Sequence, residues 1–113
     1  MRASYEQEFI AQAQTALVFC AHPARSAGKY GERGIALYCV QDATIACAYA
    51  QLAATALGLA SVWVGAFNDE MVSTAIGVSE DLRPVAILPI GYPGKQPKIR
   101  PRRALSDLVR WMR

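Results

Sequence analysis

The chain has 113 residues, 53% of them hydrophobic and only 19% charged. This is the length of one domain and excludes a disordered charged tail; no apolar run reaches the roughly 18 residues of a membrane span. The net charge of +3 is uneven: residues 95–113 carry seven Lys or Arg against the single acid Asp107, and residues 1–94 carry five basic and eight acidic groups. A −3 body with a +6 end suits an anionic partner. A small phosphate-bearing ligand fits better than nucleic acid, because Trp111 is the only aromatic residue in the basic run and no nucleic-acid reading motif accompanies it.

The N-terminal ten residues are polar and include Glu6 and Glu8, unlike a signal peptide. Ser4 followed by Gln7 reads as a capping box. It predicts a short helix to about Ala13, with Tyr5, Phe9 and Ile10 on one face. Thr15 to Ala21 (TALVFCA) is a continuous apolar run of strand length. Residues 22–34 (HPARSAGKYGERG) hold three glycines and a proline and predict an exposed loop. Val40 to Leu57 is alanine-rich and apolar nearly all round, which predicts a buried helix closed by Gly58 at the left-handed position. Ala46, Ala50 and Ala54 repeat every fourth residue, a face small enough for another backbone to approach.

Leu59 to Phe67 (LASVWVGAF) predicts a second strand, with Trp63 and Phe67 in the core. Asn68, followed by Asp69 and Glu70, is a good start for a short helix that Gly77 ends. Arg83 to Ile90 (RPVAILPI) predicts a third strand. Pro84 and Pro89 bracket it, which suits strand ends or a sheet edge. After the Pro- and Lys/Arg-rich residues 92–103, Ala104 to Trp111 reads as an amphipathic helix with Leu105, Leu108 and Val109 inward. Strands alternating with helices predict a layered α/β or α+β domain spanning 1–113.

Conventional catalytic constellations are absent from the sequence. Three cysteines (Cys20, Cys39, Cys47), odd in number and in apolar surroundings, read as reduced buried thiols of a cytoplasmic protein. With one histidine, His22, and no CxxC, neither a structural zinc site nor a nucleophilic triad can be built. There is no P-loop, no GxGxxG and no carboxylate pair in a glycosidase-like setting.

Three segments in order, DATIACAYAQLAATALGLASVWVGAF, DLRPVAILPIGYP and RPRRALSDLV, together resemble the C-terminal part of the nitroreductase family of flavin enzymes. The resemblance runs from about Phe9 to Val109. It implies an α+β fold, a nitroreductase-like layered αβα sandwich, truncated, with about three strands and a central buried Ala-rich helix. It implies FMN as cofactor and hydride transfer from NAD(P)H to a nitroaromatic or quinone-like acceptor. Gly65 and Ala66 match the place where the family's backbone approaches the flavin ring. Arg102 matches its phosphate-contacting arginine, with Arg103 and Arg100 as near alternatives. No catalytic side chain and no metal are implied. The flavin would lie at the interface of an intertwined homodimer, away from membranes.

On the residues alone, Gly65 also suits strand packing or a bulge, and the arginines also suit plain solvated charge. Family members begin with a segment bearing an Arg-x-Ser-x-Arg-like motif and an Ala-Pro-Ser…Asn-x-Gln-Pro-like motif. Neither occurs in these 113 residues. Two other readings therefore stand beside the flavoenzyme: a non-catalytic remnant or oligomerisation module of the same fold, and, more weakly, a small basic nucleic-acid binder.

Overall fold

The computed structural model describes residues 8–113; the expected Ser4–Gln7 capping box and Tyr5 lie outside them. A short helix α1, Glu8–Gln12, leads into strand β1, Thr15–Ala21. Helix α2, Pro23–Arg33, follows. A π-helical turn, Gly34–Tyr38, joins it to the long helix α3, Cys39–Ala56. Strand β2 is only Ala60–Ser61; helix α4 is Asp69–Ile76, strand β3 Arg83–Gly91 and helix α5 Leu105–Leu108.

The three strands form one antiparallel sheet in the order β1-β3-β2. Strand β3 is therefore central rather than at an edge, and its two prolines leave marks on both flanks. Pro84 pairs with Cys20 just after a register irregularity between Phe19 and Cys20. On the other flank Ala60 pairs with Gly91, Ser61 with Ile90 and Val64 with Ile87. That register sets Pro89 opposite Val62, and Pro89 has no N–H to give. The expected strand 59–67 is accordingly interrupted: β2 stops at Ser61, and one bridge resumes at Val64, whose N–H and carbonyl both bond Ile87 at 2.9 Å.

Alternation along β3 places helices on both faces. Ala86 and Leu88, both without accessible surface, meet Cys47 of α3, with Phe19, Ala50 and Ile90 around them. Ala21, Cys39 and Ala43 continue this layer. Ile87 faces the other way, onto Val64, Phe67 and Val72 of α4, with Ile10 and Val18 beside them. This is the expected αβα layering. The small side chains of α3 let it lie close to the sheet, as their spacing predicts. The same helix turns an apolar face outward, however: Ile45, Tyr49 and Leu52 are 52%, 71% and 68% exposed.

Helix α4 begins and ends where its sequence says. The Asn68 side chain accepts the Met71 N–H at 2.9 Å, and Gly77 takes φ +70°. Gly58 likewise has φ +77° after α3. Phe67 is buried as expected, whereas Trp63 is 36% exposed.

Two expectations need correction. Residues 22–34 are not a loop. Pro23 at the first helical position presets φ, and His22 caps the turn by accepting the Arg25 N–H at Nδ1, 3.1 Å away. Of the three glycines Gly28 stays helical, while Gly31, at φ +60° and ψ −139°, breaks the helix without ending it. The last helix is also shorter than expected and does not turn Leu105, Leu108 and Val109 inward; they are 73%, 59% and 43% exposed. A four-residue helix has too few internal bonds to persist without packing, and residues 92–113 are exposed throughout. The radius of gyration, 16.7 Å, exceeds the roughly 13 Å of a compact chain of this length, as a projecting C-terminal arm requires.

Leu88→Ala removes the largest fully enclosed side chain of the layer shared by β3 and α3. It should cost about 2–5 kcal/mol, read as a lowered midpoint in denaturant unfolding. Asn68→Ala should cost about 1 kcal/mol by the same measurement.

Candidate functional site

Gly65 and Ala66 form an exposed pair held between two buried anchors. Val64, 2% exposed, is tied to Ile87 by two backbone hydrogen bonds, and Phe67, 8% exposed, packs into the same cluster. The chain must bulge outward between them before Asn68 starts α4. No heavy atom lies within 4 Å of where a Cβ on Gly65 would stand, so this backbone borders open space. The glycine thus serves neither close packing nor a positive φ, and what it provides is room.

Arg100, Arg102 and Arg103 lie on the exposed arm before α5. Arg102 Nη1 donates to the Arg100 carbonyl at 3.3 Å, and Arg103 Nη2 to the Asp107 carbonyl at 3.5 Å. These guanidinium bonds stay inside the arm. Within one chain the arginines and the Gly65–Ala66 bracket are thus separate halves of the expected site, one on the sheet and one on a projecting segment.

The remaining reactive groups have structural roles. The three cysteines are free. Burial pushes the Cys20 and Cys47 thiols up from their ordinary value, the opposite of what a nucleophile needs. Cys39 Sγ donates to the Ile35 carbonyl at 3.1 Å. His22 caps α2 through Nδ1, and its Nε2 stands 4.0 Å from Asp81 Oδ2. The Asp81 carboxyl is held below the usual range, first by the Ser79 side chain and then by a backbone hydrogen bond. Among the described residues no group of His, Cys, Asp and Glu could hold a metal ion, and no helix is long and apolar enough to cross a membrane.

The model of the nitroreductase family matches residues 2–92 of this sequence. The chain belongs to the nitroreductase family. A protein of Methanocaldococcus jannaschii named as a nitroreductase is 34% identical over 89 residues, which are 79% of this chain and 43% of that protein. Among solved structures, a nitroreductase family protein from Clostridium difficile superposes with a TM-score of 0.74 at 29% identity, over 90% of this chain and 61% of its own. Nitroreductase A from Vibrio parahaemolyticus gives a TM-score of 0.82 at 23% identity, over 96% of this chain and 49% of its own, a likeness of fold. The chain therefore carries the nitroreductase fold, and it spans about half the length of these relatives.

Sequence reasoning passed over one cluster. Tyr30 and Tyr38 meet edge to face with centroids 5.2 Å apart. Arg33 Nε donates to the Tyr38 hydroxyl at 3.0 Å, and its guanidinium stands 5.5 Å from that ring. Lys29 Nζ stands 5.3 Å from the Tyr30 ring. The signal was present as basic and aromatic residues interleaved over 29–38, but assigning 22–34 to a loop left nothing to bring them together.

Two outcomes follow in this nitroreductase-family chain. A thiol reagent should modify Cys47 only after unfolding, measured as labelled mass in native and denatured protein. Ser79→Ala should raise the titration midpoint of Asp81 toward the ordinary aspartate value, read by carboxyl NMR. Because the folded value is depressed, Asp81's contribution is present above the unfolded value and lost as pH falls through the folded one; in S79A that loss should begin at higher pH.

Proposed function

We propose that this chain is part of an FMN-dependent oxidoreductase that passes hydride from NAD(P)H to a nitroaromatic or quinone-like acceptor. The observation that carries the reading is the Gly65–Ala66 bracket, anchored at Val64 and Phe67 and bordered by open space. A flat ring can approach a backbone only where no side chain intervenes, and the buried anchors hold that backbone still. Arg102, with Arg103 and Arg100 beside it, offers planar forks suited to a phosphate dianion. Bound flavin would supply the hydride chemistry itself. The chain's own residues would bind, orient and shield. None need donate or accept a proton, in keeping with His22 serving as a cap and the thiols being raised.

A second copy completes this reading. Ile45, Tyr49 and Leu52 recur at helical spacing on the open face of α3, and β1 is an edge strand whose Leu17 is 39% exposed. Contiguous apolar surface of this kind marks an interface, and an unpaired strand edge needs cover. A homodimer would cover both, and the arginine arm of one copy would meet the Gly65–Ala66 bracket of the other. The free thiols suit a reducing, cytoplasmic setting. One observation favours a second reading, a non-catalytic module of the same fold: the two N-terminal flavin motifs implied by the family are not among these 113 residues.

Titration with FMN separates the two. The flavoenzyme reading expects uptake of FMN, seen as a visible absorbance band that travels with the protein and bleaches on adding NADPH or NADH. Gly65→Val should block uptake by filling the open space without lowering unfolding stability. Arg102→Ala should weaken it about tenfold or more, the loss of a charge-assisted bond. Folded protein that takes up no FMN overturns the reading and leaves the non-catalytic module.

A further inference from the structure

The Tyr30–Tyr38 corner opens onto two clefts that the flavin reading does not use. One, of about 690 Å³, lies between that corner and the outer face of α3, with Val40 and Ile45 as apolar lining. The other, of about 430 Å³, lies over Ala21 and Ala43 and is rimmed by Arg25, Ser26 and Lys29. Both volumes fall in the range of small-ligand sites. Tyr30 and Asp42 line both clefts, so the two join across a shared wall.

Three independent features show that this corner is built rather than incidental. The backbone leading to it is unusual twice over: Gly31 sits at φ +60°, and the next turn, Gly34–Tyr38, is π-helical. Such turns concentrate at functional sites. Gly34 is also packed so tightly that a Cβ there would come within 2.7 Å of the Ser26 carbonyl oxygen, which fixes the π-turn against the rim of the smaller cleft. Finally, each tyrosine is steadied by a cation, Lys29 on Tyr30 and Arg33 on Tyr38. The charges lining the clefts are unspent: among the described residues Arg25, Lys29 and Asp42 form no ion pair, although all three line the smaller cleft.

An aromatic corner, an unpaired carboxylate and two unpaired cations along one groove are the chemistries that hold a base, a ribose and a phosphate. Bases stack on aromatic rings, a carboxylate accepts from ribose hydroxyls, and Arg and Lys take phosphate. We propose that the joined clefts bind the adenosine phosphate portion of a nucleotide, with the base against Tyr30 and Tyr38, the ribose at Asp42 and the phosphate at Arg25 and Lys29. The inference rests on the flavoenzyme reading only in taking that nucleotide to be the non-reacting half of NAD(P)H. The binding site itself stands on the clefts.

The test is binding of ADP to the whole chain without flavin, by calorimetry, beside parallel titrations with inorganic phosphate and FMN. ADP should bind at least tenfold more tightly than inorganic phosphate. The double variant Arg25→Ala/Lys29→Ala, both away from the core, should weaken ADP about tenfold or more, and Asp42→Asn should weaken ADP while leaving phosphate unchanged. Tyr38→Phe should retain binding and Tyr38→Ala should lose it, with unfolding midpoints confirming that both are folded. Three results would overturn the proposal: no ADP binding, ADP no tighter than phosphate, or ADP binding indifferent to the Arg25/Lys29 change. FMN that displaces ADP and responds to the same variants would also overturn it, by assigning the clefts to flavin. FMN uptake without ADP binding would remove this inference alone, while ADP binding without FMN uptake would remove the flavoenzyme reading and leave the site.

Discussion

The packing of β3 between two helical layers is the constraint on which the rest of the chain depends. Leu88 and Ala86 turn one way into Cys47 of α3, and Ile87 turns the other way into Val72 of α4. Because side chains alternate along a strand, these three consecutive residues tie both layers together. The ladder that carries them also fixes Val64 opposite Ile87, and Val64 with Phe67 in turn holds Gly65 and Ala66 outward. The candidate flavin contact is thus a by-product of core packing: its backbone is exposed, but its position is set by neighbours that are not.

Much of this was legible in the residues. TALVFCA could be little other than a buried strand, and its bounds agree with β1. Asn68 and Gly77 marked both ends of α4 by side-chain capping and left-handed backbone, local effects that sequence reports directly. The misreadings share a different cause. Whether HPARSAGKYGERG is loop or helix turns on His22 reaching the Arg25 N–H and on Tyr30 finding Tyr38, contacts that glycine content alone obscures. The break in the strand 59–67 arises from Pro89 on a different strand, which no reading of 59–67 by itself contains. Leu105 and Leu108 have helical spacing and an apolar character, yet nothing in one copy lies beneath them.

The site was legible in parts and not as a whole. Gly65, Ala66 and Arg102 follow from the likeness of three segments to the nitroreductase family, which the family match over residues 2–92 supports. Their separation onto a rigid bracket and a projecting arm is a property of tertiary structure alone. The low charge content now has a structural counterpart. The outer face of α3, the β1 edge and the apolar residues of the arm are surfaces that one copy leaves open. Under the proposed function, a second copy uses these surfaces to bring its arginines to the flavin.

That claim is tested most directly by sedimentation equilibrium of the protein with and without FMN, monitored at both protein and flavin wavelengths. The expected result is a two-copy mass that carries all of the bound flavin, with Tyr49→Arg on the open face of α3 shifting the protein to single copies and releasing FMN. A single-copy species that retains flavin as tightly as the dimer would contradict it.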